Sequence, residues 1–423
     1  MSPRRRTVLG SLAAVGLGVG YWQRRRIRRW GAIDDLEATV ALSLPTIHEA
    51  TIVDEGVHDD AHERATERLT ELEALIDDGP IVDRHRRRIE SAREAVAEPS
   101  THDPPTADAA RLDALATYRR QREVIVRRLV EEEPGRWDET ALDDRREGLE
   151  ERLEELAIPY AGEFGDVVVS AAAAEYARDV ARVRRSRADE GGTSADAWAD
   201  VETGTAAVEG AAGIASALAG EDAEGSIEAA FDRLGERLDR VVAPTAADDV
   251  PGHPDADVSH AVELQAEVGT TAYDGVSRTL ASAAEVAAEG GDLALAVENG
   301  ALAILLGAAI EPLTEVPASH QWRQLGFELD VDEGELRGRK RAATGAIEDA
   351  LDRAGDGPLA RRLCWPALSL VGAADTTLGR LAADPRAFDA REWAIRRDRA
   401  ALEYEAARRH AETLPEAVEL AVG

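Results

Sequence analysis

The sequence predicts an all-α protein, with helical hairpins and a coiled-coil region followed by an Ala-rich helical bundle. Two observations carry this reading. Apolar residues recur at spacings of three and four through most of the chain, which puts them on one face of a helix. Strand-like alternation is confined to Phe327, Leu329 and Val331, set against Glu328, Asp330 and Asp332.

The chain opens with Arg4, Arg5 and Arg6, then an uncharged run from Thr7 to Trp22, then Arg24, Arg25, Arg26, Arg28 and Arg29. Those 16 uncharged residues would make a helix of about 24 Å, short of a bilayer core of about 30 Å. Arginine stems at both ends can snorkel and recover the difference, and Tyr21 and Trp22 sit where an interfacial aromatic belt would lie. Residues 1–30 are therefore predicted to anchor the protein to the cell membrane, with lipid as the partner of residues 4–29. The arginine balance across the run leans toward a cytoplasmic body.

Organisation of the remainder follows the helical stripes. Leu36, Val40 and Leu44 mark a short helix between Gly31 and Pro45. Ala65, Leu69, Leu72 and Ile76 mark the next, stopped by Gly79-Pro80, and a further helix is expected over 82–97. Pro99 to Thr106 is a linker. Leu112, Leu115, Tyr118, Ile125 and Leu129 precede the Pro134-Gly135 stop. Leu142, Leu149, Leu153 and Leu156 then form a narrow stripe among Glu and Arg, the pattern of an antiparallel coiled-coil hairpin. After Pro159 a helix through Phe164, Val168, Ala171 and Ala174 runs to about Arg187. Residues 31–190 are read as the hairpin region, closed by Asp189-Glu190-Gly191-Gly192-Thr193-Ser194.

Residues 195–423 are read as the bundle. Its first helix, 195–219, carries Gly210 and Gly213, where a neighbouring helix is expected to come close. Ile227, Phe231, Leu234, Leu238 and Val241 give the clearest helical stripe in the chain. Pro244 to Pro254 is a polar loop, and 262–288 a long helix broken by Gly290-Gly291, with Asp292 as the cap of the next. Leu293 to Ile310 is apolar nearly all round apart from Glu298 and Asn299, as expected of a buried central helix. Leu363 to Ala374 is a second central helix, with Pro366 inside it. Asp384-Pro385 predicts the start of a last helix through Phe388, Ile395, Leu402 and Ala406.

Composition constrains partners. The formal net charge is −33 over 423 residues, although residues 1–30 hold eight arginines and no acid. A body this acidic argues against binding nucleic acid. Lys340 is the only lysine. Cys364 is the only cysteine, which excludes an intramolecular disulfide or a cysteine-rich zinc site. Its apolar neighbours make it a packing residue rather than a nucleophile.

Two clusters hold the residue types of a metal site. Glu55, His58 and His62 are spaced to share one helix face, Glu55 and His58 in the Glu-x-x-His register of carboxylate-bridged metals. No second Glu-x-x-His is present, and a solvated helix start is the competing explanation. His253, Asp255, Asp257 and His260 lie where a loop enters a helix; there Asp257 serves equally as an N-cap. A divalent metal is the one cofactor these clusters would take, and no other cofactor is expected. Asp330-Val-Asp332-Glu333-Gly334 fails as a calcium loop, with glycine one position early and Arg341 at the twelfth. No nucleophile-elbow, dinucleotide or phosphate-loop glycine pattern occurs.

Two resemblances sit on these residues. Arg5-Arg6-Thr7-Val8-Leu9 resembles a twin-arginine export signal, with no small-x-small cleavage site after the apolar run; the alternative is a plain signal anchor. Dense carboxylates with arginine in place of lysine resemble proteins of extreme halophiles, in particular haloarchaea. That resemblance implies folding in molar salt, where a Debye length of about 3 Å screens self-repulsion. The function expected from the sequence is a membrane-tethered helical scaffold or interaction protein, with a protein partner on the hairpins. The alternative is a metal-dependent enzyme or ligand-binding domain built on a His/Asp cluster.

Overall fold

A computed structural model describes residues 36–42, 55–74, 86–87, 89–90, 93, 122–131, 137–190, 192–242, 270–314, 333–355, 357–384, 387–388 and 390–423. The protein is all-α. In chain order the helices are α1 (Glu55–Ala74), α2 (Glu139–Glu155), α3 (Phe164–Asp189), α4 (Ser194–Ala217), α5 (Glu224–Val242), α6 (Thr270–Glu289), α7 (Leu293–Thr314), α8 (Glu333–Ala354), α9 (Pro358–Ala383) and α10 (Ala390–Val422). Shorter helical stretches occupy 36–40 and 122–131. No strand occurs among the described residues; Ala161 and Asp222 form an isolated bridge.

The expected central helix is central. α7 packs against α3, α5, α6, α9 and α10, and Ala294, Val297, Ala301, Ala303 and Leu305 are all fully buried. Its small residues let neighbours approach: a Cβ on Gly300 would come to 3.2 Å from Leu238 of α5. α5 turns Ile227, Leu234 and Leu238 inward, the stripe its spacing predicts. α9 begins with Pro358 in its first turn, where the missing N–H costs nothing. It runs on through Pro366 and buries Leu363, Cys364, Ala367 and Val371. α8 and α10 close the other side against α9.

The principal core draws together α3 and α5 to α10, and the short helix 36–40 joins it through Leu36. A second core holds Leu69 and Leu72 of α1, Ile89, Ile125, Val126, Leu129 and Val130, Leu142 of α2, and Trp198 and Val201 of α4. Trp137 meets Trp198 edge-on at 4.9 Å between ring centroids. α3 belongs to both sides, packing on α2 and α4 as well as on α7 and α9.

Local chemistry sets the joints. α4 starts in a capping box: the Thr193 hydroxyl accepts from Asp196 N–H, and the Asp196 carboxylate accepts from Thr193 N–H. The turns before α3 and α5 pass at Gly162 and Gly220, both at positive φ (139° and 141°), where a Cβ on Gly220 would lie 2.9 Å from Gly162 Cα.

Two sequence expectations are corrected. The close approach on α4 falls at Gly204, where a Cβ would come to 2.8 Å from Leu149 Cδ2, while a Cβ on Gly210 meets open space. Asp384 is the C-cap of α9, its N–H donating to the Arg380 carbonyl, and the last helix begins at Ala390. The anchor segment 1–30, the 99–106 linker, the 244–254 loop and the alternating run 327–332 lie outside the described residues. No described helix is long and apolar enough to cross a membrane.

Candidate functional site

An ionised side chain taken from water must find compensating partners, so buried charges mark where a fold has concentrated its polar interactions. Three such clusters stand out, and each ties several helical segments together.

The first centres on Glu202 of α4, whose side chain is 1% exposed. Arg122 reaches it with Nε at 2.8 Å and Nη2 at 2.5 Å. Arg68 of α1 donates through Nε at 3.3 Å and also through Nη2. Arg145 of α2 lies at 3.4 Å. Burial alone would raise the Glu202 pKa; the fields of Arg122, Arg68 and Arg145 overcome it and hold the carboxyl at about 2. Around the edge, Arg184 bridges Asp200 (2.6 Å) and Glu123 (3.0 Å), and Arg127 meets Asp196 at 2.6 Å. Four helical segments are thus pinned at one carboxylate.

The second cluster caps α7 from outside. Asp292 holds the cap position, its carbonyl accepting Ala296 N–H at 3.0 Å. Its carboxylate is turned to Arg178 and to Arg182, the latter at 3.5 Å. The free N–H groups of the first turn are met instead by other chain segments. Leu295 N–H donates to Glu175 of α3 at 2.6 Å, and Leu293 N–H to the Tyr160 hydroxyl at 3.2 Å. The Tyr160 oxygen lies 2.5 Å from Glu175 and 3.0 Å from the Gly291 carbonyl. Burial pushes Glu175 up to about 7, against the lowering effect of these hydrogen bonds and of Arg178.

The third uses the sole lysine. Lys340 of α8 is fully buried; its ammonium donates to Asp375 of α9 at 2.7 Å and to the Val40 carbonyl at 3.1 Å. Asp375 accepts in turn from the Tyr404 hydroxyl of α10 at 2.6 Å. Burial raises the pKa of both Asp375 and Tyr404.

Three further groups complete the interior. His410 is fully buried, with Nε2 2.7 Å from the Leu363 carbonyl, and burial lowers it to about 4, so the ring is neutral. Next to Leu363, the buried Cys364 thiol is pushed up to about 12 by desolvation, the state of a packing residue. Glu298, which with Asn299 interrupts the apolar run of α7, pairs with Arg362 of α9 at 2.7 Å.

The sequence-derived metal candidates fare differently. Glu55, His58 and His62 all fall within α1, so the backbone gives them the helical register their spacing requires; their side chains lie outside the described residues. His253, Asp255, Asp257 and His260 lie outside them altogether. Among the described residues no group of three or more His, Cys, Asp or Glu is placed to hold a metal ion. Sequence reasoning missed Glu202, Glu175 and Asp375, because acids are frequent throughout. Lys340 did carry a signal, as one lysine among many arginines.

Comparison with known proteins bears on the second half of the chain. Residues 224–423 match a domain of unknown function (DUF8264). The match begins where α5 begins and takes in α5 to α10, a little under half of the chain. No curated protein and no solved structure matches.

Proposed function

We propose that the protein is a membrane-tethered, all-helical scaffold or protein-interaction protein adapted to molar salt. Residues 4–29 bind the lipid membrane, and the charged helices before residue 190 present the surface for a protein partner. One observation supports the reading: buried ionisable side chains tie several helices together at single points. Glu202 joins α4 to α1, α2 and 122–131, and Lys340, Asp375 and Tyr404 join α8, α9 and α10. Such pairings fix the mutual placement of helices, which is what a scaffold requires.

Cell fractionation tests it. The full chain should stay with membranes through an alkaline-carbonate wash, and a chain lacking residues 1–30 should be released. Equal release of both would refute the tether. Changing Arg5 and Arg6 to lysine separates the two anchor types, since twin-arginine export alone requires the pair. The second reading, a metal-dependent enzyme or ligand-binding domain, draws support from the common helix of Glu55, His58 and His62.

A further inference from the structure

The Tyr160 hydroxyl has one proton to give and two acceptors within reach. Glu175 Oε1 lies 2.5 Å from its oxygen and the Gly291 carbonyl 3.0 Å. The same oxygen accepts the Leu293 N–H at 3.2 Å. Glu175 is fully buried on α3, and its other oxygen, Oε2, accepts the Leu295 N–H at 2.6 Å. Gly291, in the turn between α6 and α7, is exposed.

These atoms support two complete arrangements of protons. With Glu175 ionised, the Tyr160 O–H donates to Oε1, and water can serve the exposed Gly291 carbonyl. With Glu175 protonated on Oε1, the carboxyl donates to the Tyr160 oxygen, which still accepts from Leu293, and the phenol proton turns to Gly291. One proton enters from solvent, and no covalent bond between heavy atoms changes. Neither arrangement leaves a buried group orphaned.

The surroundings hold the two in balance. Burial raises Glu175 to about 7, against Tyr160, the first-turn amides of Leu295 and Ala294, and Arg178. Arg178 is shared with Asp292 of the α6–α7 joint, which also meets Arg182, itself paired with Asp179. α4 meets this part of α3 through apolar Ala174, Ala177, Ala211 and Ile214. α9 reaches α3 at Gly165 through Leu359, and α2 reaches it at Arg185 through Glu150, each ten residues from Glu175. At the start of α5, Ala223 N–H donates to the Tyr160 carbonyl at 2.8 Å, and the Asp222 carboxylate is turned to Glu224 N–H.

We propose that Tyr160, Glu175 and the Gly291 carbonyl form a proton-operated latch: with Glu175 protonated the Tyr160 hydroxyl ties residue 160 to the α6–α7 turn, and with Glu175 ionised that bond is given up to the carboxylate. Because the Tyr160 backbone is fastened to α5, acid strengthens and base weakens the hold of the α6–α7 turn on the segment that joins α2 to α3.

Two measurements on the full-length protein in molar salt test the latch. Infrared spectra of the unsubstituted chain should show a protonated carboxyl band at pH 6 that fades by pH 8 and that Glu175→Gln removes; no such band at pH 6 would overturn the proposal. Hydrogen exchange reads the turn itself. Corrected for the intrinsic pH dependence of exchange, the amides of Gly290, Gly291 and Asp292 should lose about fivefold in protection over the same range, the worth of one hydrogen bond. Glu175→Gln, whose amide can donate to the Tyr160 oxygen, should keep the pH 6 protection throughout. Tyr160→Phe should show the lower protection at both pH values. Protection that ignores pH in the unsubstituted chain, a pH step that survives Tyr160→Phe, or a Glu175→Gln turn as loose as that of Tyr160→Phe would each overturn the latch.

Discussion

Glu202→Gln removes one charge from the most heavily buried ion cluster and leaves the shape almost unchanged. Two routes give the size of the effect. Breaking a buried ion pair by removing one partner costs about 3–5 kcal/mol, and Arg122, 2% exposed, would lose its compensation here. Independently, a carboxyl held at about 2 instead of 4.5 corresponds to about 3 kcal/mol of folding free energy. The sign follows from the depressed pKa. The stabilisation is fully present above pH 4.5 and is lost as pH falls toward 2. The assay is denaturant unfolding of wild type and variant in molar salt, where a pair this buried is little screened. The variant should be less stable by about 3 kcal/mol at pH 6, and the gap should narrow by about 2 kcal/mol on going to pH 3. A gap below about 1 kcal/mol, or one that ignores pH, would refute the claim that three arginines hold Glu202 ionised.

Other perturbations follow from the same structure. Leu305→Ala, at a fully buried site, should cost about 2–5 kcal/mol in the same assay. Glu298→Gln should cost about 1–2 kcal/mol, because its partner Arg362 is 37% exposed and solvent screens the pair; the reverse order would make α7 a site rather than a scaffold. Glu175 is raised to about 7 from 4.5, so the folded state binds its proton more tightly than the unfolded one. Stability should fall by about 2–3 kcal/mol as pH rises from 5 to 8, and in a Glu175→Gln variant, followed by thermal or denaturant melts across that range, this decline should vanish.

Helix identity was legible wherever apolar spacing was regular. The 4-3-4-3 stripe from Ile227 put Ile227, Leu234 and Leu238 inside. The nearly all-apolar run from Leu293 became the helix touching five others. Prediction slipped at joints. Asp384-Pro385 has the chemistry of a helix start, yet the backbone N–H of Asp384 closes the last turn of α9 first. Gly210 looked like a contact point, but which face of α4 meets α2 is decided by packing, and Leu149 chose Gly204. The polar interior was the least legible. Glu202 and Arg122 are 80 residues apart, and Lys340 and Val40 are 300 apart. In a chain with 83 acidic residues, no local feature separates the carboxylate that will be buried from those that face solvent.

Metal content of the full-length protein, purified in molar salt without chelator, decides between the proposed scaffold and a metal-dependent site. A scaffold should carry divalent metal well below one equivalent per chain, unchanged when His58 and His62, or His253 and His260, are replaced by alanine. One tightly held equivalent, lost with either histidine pair, would overturn the scaffold reading and make that pair the centre of a metal-dependent site.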